Sequence, residues 1–250
     1  MTPSTINIAG NYGEFCAKVT EEILNLSNKR IGTKNCFTIV LSGGSTPKGI
    51  YQCMASPSYR NKFRWDKIHF FWGDERWVLP EDPRSNYRMV LDALLSKVNV
   101  PSGNIHPIQT KDCNLQTSAI LYEKTISDFF KLTKAGFPVF DLLLLGLGQD
   151  GHTSSLFPGN PALLENNRLV VATSAKGIPE KRITLTLPVI NHAQTIFFLV
   201  SGPGKAEIAA KVLENGKEHT FPASDIRPLQ GNVLWFLDKA AASRLTIPER

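Results

Sequence analysis

The sequence predicts an α/β fold: a doubly wound, mostly parallel sheet with helices on both faces, formed by residues 1–250 as one domain. Apolar runs of strand length alternate along the chain with segments of helical periodicity, which is the order of elements in such a sheet. The strand-length runs are almost continuously apolar, as expected for strands covered on both faces. No internal repeat or Pro/Ser-rich linker divides the chain, so we predict a single domain.

Five apolar runs predict the buried strands of this sheet. They are Cys36–Leu41, Ile68–Trp72, Phe140–Leu145, Thr195–Val200 and Val233–Leu237. The segment Arg182–Leu187 alternates polar and apolar residues, which predicts a half-exposed strand. The 35 residues before Cys36 predict a short strand followed by one helix.

Apolar residues spaced three and four apart predict helices between these strands. One set is Phe15, Val19, Ile23 and Leu26, another is Met89, Val90, Ala93, Leu94 and Val98, and a third is Ala119, Tyr122, Ile126 and Phe129. These spacings place the side chains of a helix on one face. Each helix therefore has an apolar face that can pack on the sheet.

The composition limits the classes of function. A formal charge of +6 is compatible with nucleic acid, a membrane surface or a small anionic ligand. Lys and Arg are dispersed, and no basic run is interleaved with aromatic residues, so a nucleic-acid interface is not predicted. The longest apolar run, 139–148, is too short to span a bilayer, so we expect no membrane partner.

Cysteine usage and the first residues indicate a compartment. Cys16, Cys36, Cys53 and Cys113 are widely spaced and form no C-x-x-C pair, which gives neither a zinc site nor a disulfide framework. Such usage is typical of a reducing environment. The N-terminus lacks a basic start followed by an apolar stretch, as a secretory signal would have. We therefore predict a cytoplasmic protein.

Four predicted strands end in Gly-rich segments that carry polar or charged side chains. Because ligands of open parallel sheets bind at the carboxyl ends of the strands, we expect these four segments to form one site. The first, Ser42-Gly43-Gly44-Ser45-Thr46-Pro47, opens a helix. Its N–H groups and hydroxyls can hold a phosphate, although a capped turn explains the same residues equally well.

The second and third segments carry the groups suited to chemistry on a sugar. Asp74 can accept hydrogen bonds from hydroxyls and Arg76 can contact a phosphate or an oxyanion, but alone they are more typical of a surface turn with an ion pair. His152 has a side chain whose pKa suits a general base near neutrality. Asp150, two residues earlier, can fix the imidazole tautomer. A helix-capping histidine is the alternative for His152.

The fourth segment adds Lys205 after Gly202-Pro203-Gly204, and Arg182 precedes a predicted strand. Each alone is commonly a solvated charge, but together with the Ser/Thr loop they can clamp a phosphate. There is no G-x-S-x-G elbow of a serine hydrolase. We find no metal-ligand spacing either, so neither a metal nor another cofactor is predicted.

These motifs, in this order, resemble the 6-phosphogluconolactonase family, within the wider glucosamine-6-phosphate isomerase/deaminase-like group. The matching segments are LSGGSTP (41–47), FFWGDERWV (70–78), SNYRMV (85–90), LLGLGQDGHTSSLFPG (144–159), RITLTLPVIN (182–191), SGPGKAEI (201–208), PASDI (222–226) and GNVLWFLD (231–238). The likeness covers nearly the whole chain. It implies the group's Rossmann-like fold and lactone hydrolysis in the oxidative pentose phosphate pathway.

The resemblance also implies roles for individual residues and a partner. His152 becomes the general base, the loop of Ser42, Gly43, Gly44, Ser45 and Thr46 joins Arg182 and Lys205 as phosphate ligands, and Asp74, Arg76 and Asp150 surround the sugar ring. The expected partner is a small phosphorylated sugar lactone, bound by a monomer or weak homodimer.

Two rival functions remain open from the sequence. Deaminases of the group carry a glutamate just before the proline that follows the Gly-x-Asp-Gly-His core, where this chain has Phe157. That departure favours the lactonase over an isomerase or deaminase. A non-catalytic sugar-phosphate sensor would need a further DNA-binding domain, for which the 35 residues before Cys36 leave little room.

Overall fold

The structure is a computed structural model that describes residues 5–133, 136–174, 177, 179–215 and 220–246. Its main sheet has seven strands in these ranges, and every neighbouring pair is parallel. In spatial order they are β1 (Thr5–Ala9), β10 (Asn232–Asp238), β9 (Thr195–Val200), β6 (Leu142–Gly146), β2 (Phe37–Leu41), β3 (Ile68–Trp72) and β5 (Ile105–His106). The predicted mostly parallel α/β sheet is confirmed.

Six α-helices occur in the same part of the chain. They are α1 (Tyr12–Lys34), α2 (Ser45–Met54), α3 (Asn86–Ala93), α4 (Leu115–Phe130), α5 (Leu187–Asn191) and α6 (Ala206–Asn215). The side chains of Asn11, Ser85 and Asn114 each accept a hydrogen bond from a first-turn N–H of α1, α3 and α4. These caps explain why the three helices begin where they do.

The chain reverses direction in the sheet between β2 and β6. From β2 it moves to β3 and β5 on one side, and it later moves from β6 to β9 and β10 on the other. Right-handed crossovers then place α2 and α6 on opposite faces. A crevice opens at such a reversal, outside the carboxyl ends of the strands, and the fold therefore offers a ligand site between β2 and β6.

A second, three-stranded sheet stands beside this edge. It is antiparallel, in the order β4 (Asp74–Arg76), β8 (Arg182–Leu185) and β7 (Val170–Thr173). The expectation of a half-exposed strand at 182–187 was wrong, because Thr184 and Thr186 are fully buried. Their hydroxyls donate to the carbonyl oxygens of Leu185 and Arg168, 3.0 and 2.8 Å away. These hydrogen bonds offset the free-energy cost of burying the two hydroxyl groups.

The predicted strands agree with the observed ones to within two residues. β3 and β9 have the predicted bounds, and the N-terminal segment contains the expected strand and helix. β6 begins at Leu142 instead of Phe140, because the N–H of Asp141 donates to Thr38 Oγ1 at 2.9 Å. The Asp141 carboxylate also accepts from the N–H and the hydroxyl of Thr38, both at 3.0 Å. This network ties β6 to β2 at the edge opposite the crevice.

The described ranges contain neither a helix suited to a bilayer nor a cluster suited to a metal ion. None of their helices combines the length and the apolar character needed to cross a membrane. No cluster of three or more His, Cys, Asp or Glu side chains there is arranged to hold a metal ion. The four cysteines are all free thiols.

Two histidines pack into an aromatic cluster at the β5 edge. His69 Nδ1 lies 3.3 Å from His106 Nε2, and the His106 ring stacks on Phe71 with centroids 4.4 Å apart. Burial lowers the pKa of His69, and burial together with the neighbouring His69 lowers the pKa of His106 to about 4. The folded protein therefore holds both imidazoles neutral at pH values where the unfolded chain begins to protonate them.

We expect this pair to make stability fall as the pH falls. Between about pH 6.5, where an unfolded histidine titrates, and about 4 for folded His106, the unfolded state binds more protons, so the free energy of unfolding decreases with acidification. Replacing His106 with Phe should keep the ring stacking and flatten this dependence. Urea unfolding of both proteins across the window measures it, and parallel curves would contradict the assignment.

Candidate active site

A cavity of about 210 Å³ opens where the strands on either side of the reversal end. Every predicted site residue except Asp150 lines it: Ser42, Gly43, Gly44, Ser45, Thr46, Asp74, Arg76, His152, Arg182 and Lys205. The imidazole of His152 thus shares a cavity with Ser45, Arg182 and Lys205. The four sequence segments that end the predicted strands meet at one edge, as expected for parallel strands.

The Ser/Thr loop forms the wall at the N-terminus of α2. Gly44 precedes the helix and offers no side-chain cap, so the first N–H groups of α2 have no side-chain acceptor. The Oγ atom of Ser42 is buried and has no hydrogen-bond partner among the described residues. The carbonyl oxygens of Ser45 and Thr46 accept from the hydroxyl of Tyr12 at 3.1 and 2.9 Å. The loop is therefore fixed while its donors stay available for an anion.

Asn86 also belongs to this wall, although the sequence analysis did not predict it as a site residue. Its Oδ1 atom would lie 1.8 Å from a Cβ at Gly43, so only glycine allows the loop to approach it. Its Nδ2 atom donates to the backbone oxygen of Asp74 at 2.9 Å and to Asp74 Oδ1 at 3.3 Å. Asn86 therefore links the Ser/Thr loop to Asp74.

Arg76 and Arg182 are neighbours on two adjacent strands of the second sheet. They are directly paired in the antiparallel register of β4 and β8, a position where like charges are unfavourable. The Nε atom of each is buried without a hydrogen-bond partner in the described ranges. Arg76 Nη1 donates to the carbonyl oxygen of Arg84 at 2.6 Å. Two guanidinium groups with buried, unpartnered Nε atoms are what a bound anion would satisfy.

The surroundings of Arg182 shift its pKa in opposite directions. Burial lowers its pKa, the nearby Asp74 carboxylate raises it, and Arg76 lowers it again. Asp74 is itself buried, and its Oδ2 atom accepts a hydrogen bond from the hydroxyl of Ser155 at 2.6 Å. One carboxylate therefore lies among the cations of the cavity, and it can accept from the hydroxyls of a sugar.

Glu75 supports this arrangement from beneath, and sequence reasoning missed it. It is 1% exposed. Its carboxylate accepts from the N–H groups of Arg76, Asn86 and Tyr87 at 2.8, 2.7 and 2.7 Å, and from the Ser85 hydroxyl at 3.1 Å. Burial raises the pKa of Glu75 to about 7, against the lowering effect of these N–H donors. Its place within GDER, between two site residues, was the available signal.

His152 is oriented by Asp150. The distance from His152 Nδ1 to Asp150 Oδ1 is 2.5 Å, and the N–H of His152 donates to the same oxygen at 3.2 Å. The charge of His152 and the hydrogen bonds from it lower the pKa of Asp150, in spite of the raising effect of burial. With Nδ1 occupied, Nε2 is the nitrogen left for proton transfer. Asp150 is absent from the described residues that line the cavity, so its contact is with the imidazole.

Two neighbours restrict the imidazole further. A Cβ at Gly148 would lie 2.1 Å from His152 Nδ1 and 2.6 Å from Asp150 Oδ1, so the pair needs glycine there. The ring of Phe157 lies 4.5 Å from that of His152, and the guanidinium carbon of Arg182 lies 5.6 Å from the Phe157 centroid. Phe157 therefore contacts the imidazole on one side and a cation of the cavity on the other.

Lys205 reaches the cavity from a turn after β9. Both oxygens of the buried Asp238 accept the N–H of Gly202 at 3.0 Å, and Asp238 Oδ1 accepts the N–H of Ala241 at 2.8 Å. A 3₁₀ turn, Pro203–Lys205, then leads into α6. Burial lowers the pKa of Lys205, and the charge of Asp150 raises it. The turn thus places a partly desolvated ammonium group opposite the Ser/Thr loop.

The chain is similar to known proteins over most of its length. The family described as glucosamine-6-phosphate isomerases/6-phosphogluconolactonase matches residues 11–235. A 6-phosphogluconolactonase from Nostoc sp. is 40% identical over 97% of this chain and 99% of its own length. One from Synechocystis sp. is 42% identical over 87% of this chain and 88% of its own. The solved structure of 6-phosphogluconolactonase from Trypanosoma cruzi is 30% identical with a TM-score of 0.86, covering 99% of both chains.

We expect Gly148→Ala to lower kcat while the protein stays folded. The added methyl group would overlap His152 Nδ1 and Asp150 Oδ1, so the imidazole must turn from its present orientation. Gly103→Ala is the control, because its methyl group would also meet no atom within 4 Å and Gly103 does not line the cavity. Steady-state kinetics beside circular dichroism separates the two variants. Equal kcat in both would show that the close packing at Gly148 is unimportant.

Proposed function

This chain belongs to the glucosamine-6-phosphate isomerase/6-phosphogluconolactonase family, and we propose that it hydrolyses 6-phospho-D-glucono-1,5-lactone to 6-phospho-D-gluconate in the oxidative pentose phosphate pathway. The observation that carries the proposal is the shared cavity of an Asp-oriented imidazole and buried, unpartnered donors. The imidazole can activate water for attack on a neutral lactone carbonyl, and the unpartnered donors can bind a phosphate.

His152 activates water in the proposed reaction. Its Nε2 atom takes a proton from water as the water oxygen bonds to C1 of the lactone. The Asp150 carboxylate stabilises the imidazolium that forms, through the 2.5 Å contact to Nδ1. When the bond from C1 to the ring oxygen breaks, His152 returns the proton to that oxygen. The product is the open-chain acid, and no covalent intermediate with the protein is formed.

The charge that develops on the carbonyl oxygen needs a donor in the cavity. Arg76 is the candidate side chain, because its guanidinium lines the cavity, is held at Nη1 by Arg84 and has an open Nε. Backbone N–H groups of the surrounding loops are the alternative. Fixed donors of either kind stabilise the tetrahedral intermediate without reorganising during the reaction.

The phosphate is held by Ser42–Thr46, Arg182 and Lys205 in this proposal. The hydroxyl of Ser42 and the Nε of Arg182 are buried without partners, and α2 begins without a side-chain cap. Binding one end of the substrate positions the carbonyl near His152, which reduces the entropic part of the barrier. Asp74 then accepts from hydroxyls of the ring.

The isomerase or deaminase alternative is disfavoured by Phe157. Ring opening and amine chemistry need a further acid/base carboxylate, and Phe157 occupies the corresponding place against the imidazole. Lactone hydrolysis needs only one histidine and water. Incubation with glucosamine 6-phosphate tests the alternative, because a deaminase would release ammonia.

We further propose a compartment and a class of partner from the composition. The four free thiols suit a cytoplasmic location, and the dispersed basic residues suit a small anionic partner in preference to nucleic acid. A monomer or weak homodimer is our expectation for the assembly. Sedimentation velocity of the purified protein measures this oligomeric state.

Replacing His152 with Ala should lower kcat by roughly 10²- to 10⁴-fold, the usual contribution of a general base. The measurement is a pH-stat assay with freshly generated lactone, corrected for spontaneous hydrolysis. Wild-type protein that fails to accelerate proton release would refute the proposed function. A variant with near-normal kcat would remove His152 from its role but leave the function standing.

Replacing Arg182 or Lys205 with Ala should mainly raise KM for the phosphorylated lactone. Both groups bind the part of the substrate that does not react, so their contribution to ground and transition states is similar. Unphosphorylated glucono-1,5-lactone is the control substrate, and its kcat/KM should change little. An unchanged KM for the phosphorylated lactone would argue against the clamp.

A further inference from the structure

The backbone of Ser42 is held by one side chain. Its N–H donates to the hydroxyl oxygen of Tyr51 at 3.0 Å, and the same hydroxyl donates to its carbonyl oxygen at 2.9 Å. Tyr51 is fully buried, and burial raises its pKa, so the hydroxyl keeps the proton that it donates. Both main-chain polar groups of Ser42 are thereby satisfied at the point where β2 ends.

Because Tyr51 pairs both backbone groups of Ser42, the Ser42 side chain is not needed to pair them. Its Oγ atom is buried, lacks a partner among the described residues and belongs to a residue that lines the cavity. Were the backbone groups unpaired, the hydroxyl of Ser42 could turn to satisfy them, as serine side chains commonly do at turns. Since the Tyr51 hydroxyl already pairs both backbone groups, the Ser42 hydroxyl does not need to form that local hydrogen bond.

The bridge also connects the end of β2 to helix α2. Tyr51 lies on α2, the helix whose uncapped N-terminus forms the next part of the cavity wall. The hydroxyl therefore fixes the end of β2 relative to the start of α2. In this way one side chain sets the position of the serine and of the N–H groups that follow it.

We propose that Tyr51 is a positioning residue that aims Ser42 and the start of α2 at the substrate phosphate. The inference rests on the proposed function for the identity of the phosphorylated ligand. Tyr51 makes no contact with the cavity of its own, since it is absent from the residues that line it. Its effect is transmitted through Ser42.

The molecule contains a matched control in Tyr122. The N–H of Trp72 donates to the Tyr122 hydroxyl at 2.7 Å, and that hydroxyl donates to the Trp72 carbonyl oxygen at 2.9 Å. Tyr122 is equally buried, and Trp72 ends the neighbouring strand β3. Trp72, unlike Ser42, does not line the cavity. Removal of either hydroxyl orphans the same two kinds of backbone group, but only one pair belongs to the phosphate loop.

The test compares Tyr51→Phe with Tyr122→Phe. Both should lower the midpoint of thermal unfolding, because each leaves a buried N–H and a buried C=O unpaired. Only Tyr51→Phe should raise KM for the phosphorylated lactone and the Kd for inorganic phosphate measured by calorimetry, by roughly tenfold, equivalent to about 1.4 kcal/mol. kcat, and kcat/KM for unphosphorylated glucono-1,5-lactone, should be unchanged. Equal KM and Kd shifts in the two variants would overturn the proposal.

A double-mutant cycle with Ser42→Ala tests the route of the effect. Ser42→Ala keeps both backbone bonds to Tyr51 and should weaken phosphate binding by itself. Adding Tyr51→Phe to it should weaken binding by less than in the wild-type background, because the two act on one contact. If Ser42→Ala leaves the Kd for phosphate unchanged, the proposal fails even where Tyr51→Phe does not fold.

The two hypotheses can fail separately. Wild-type protein without lactonase activity, but with phosphate binding weakened by Tyr51→Phe alone, would refute the proposed function and keep the role of Tyr51. Lactonase activity with the two tyrosine variants indistinguishable in phosphate binding would do the reverse.

Discussion

The parallel register of β2, β6 and β9 brings the site together. Val40 pairs with Leu143, and Gly146 pairs with Leu199, so three segments far apart in sequence end at the same edge. Because the chain reverses direction between β2 and β6, the loops there diverge and leave a cavity. At the opposite edge, Asp141 and Thr38 exchange hydrogen bonds between β6 and β2. These bonds fix the position of the two strands relative to each other.

The cavity concentrates positive charge that the protein does not neutralise fully. Arg76 and Arg182 are paired across two strands, and Lys205 is partly desolvated. Among the described residues that line the cavity, Asp74 supplies the only carboxylate. Burying polar donors without partners costs free energy, and a bound phosphate would recover it. The unfavourable arrangement is therefore preorganised for an anion, since the donors need no rearrangement when the ligand arrives.

The proposed catalytic and binding groups are connected by contacts between residues that lie far apart in the sequence. The second sheet pairs Arg76 with Arg182 although they lie more than a hundred residues apart in the chain. Phe157 contacts the imidazole and approaches the Arg182 guanidinium, while Glu75 and Asn86 hold the loop between β4 and α3. Phe157 thus connects the proposed base with the proposed clamp, and Asn86 holds the proposed sugar-binding carboxylate of Asp74.

The sequence by itself determined most strands of the main sheet and most of the cavity wall, because continuous apolar runs and Gly-rich strand ends are local signals. The order of the strands, and with it the place of the reversal, came from the tertiary structure. The sequence could not determine the second sheet or the roles of Asn86, Glu75 and Tyr51. Thr184 in β8 and Thr186 just after it are polar yet buried, and only their hydrogen-bond partners explain that. Asp150 and His152 lie two residues apart, so their contact was expected from the sequence. The tertiary structure decided which donors stay unpartnered, since that depends on every neighbour brought near in space.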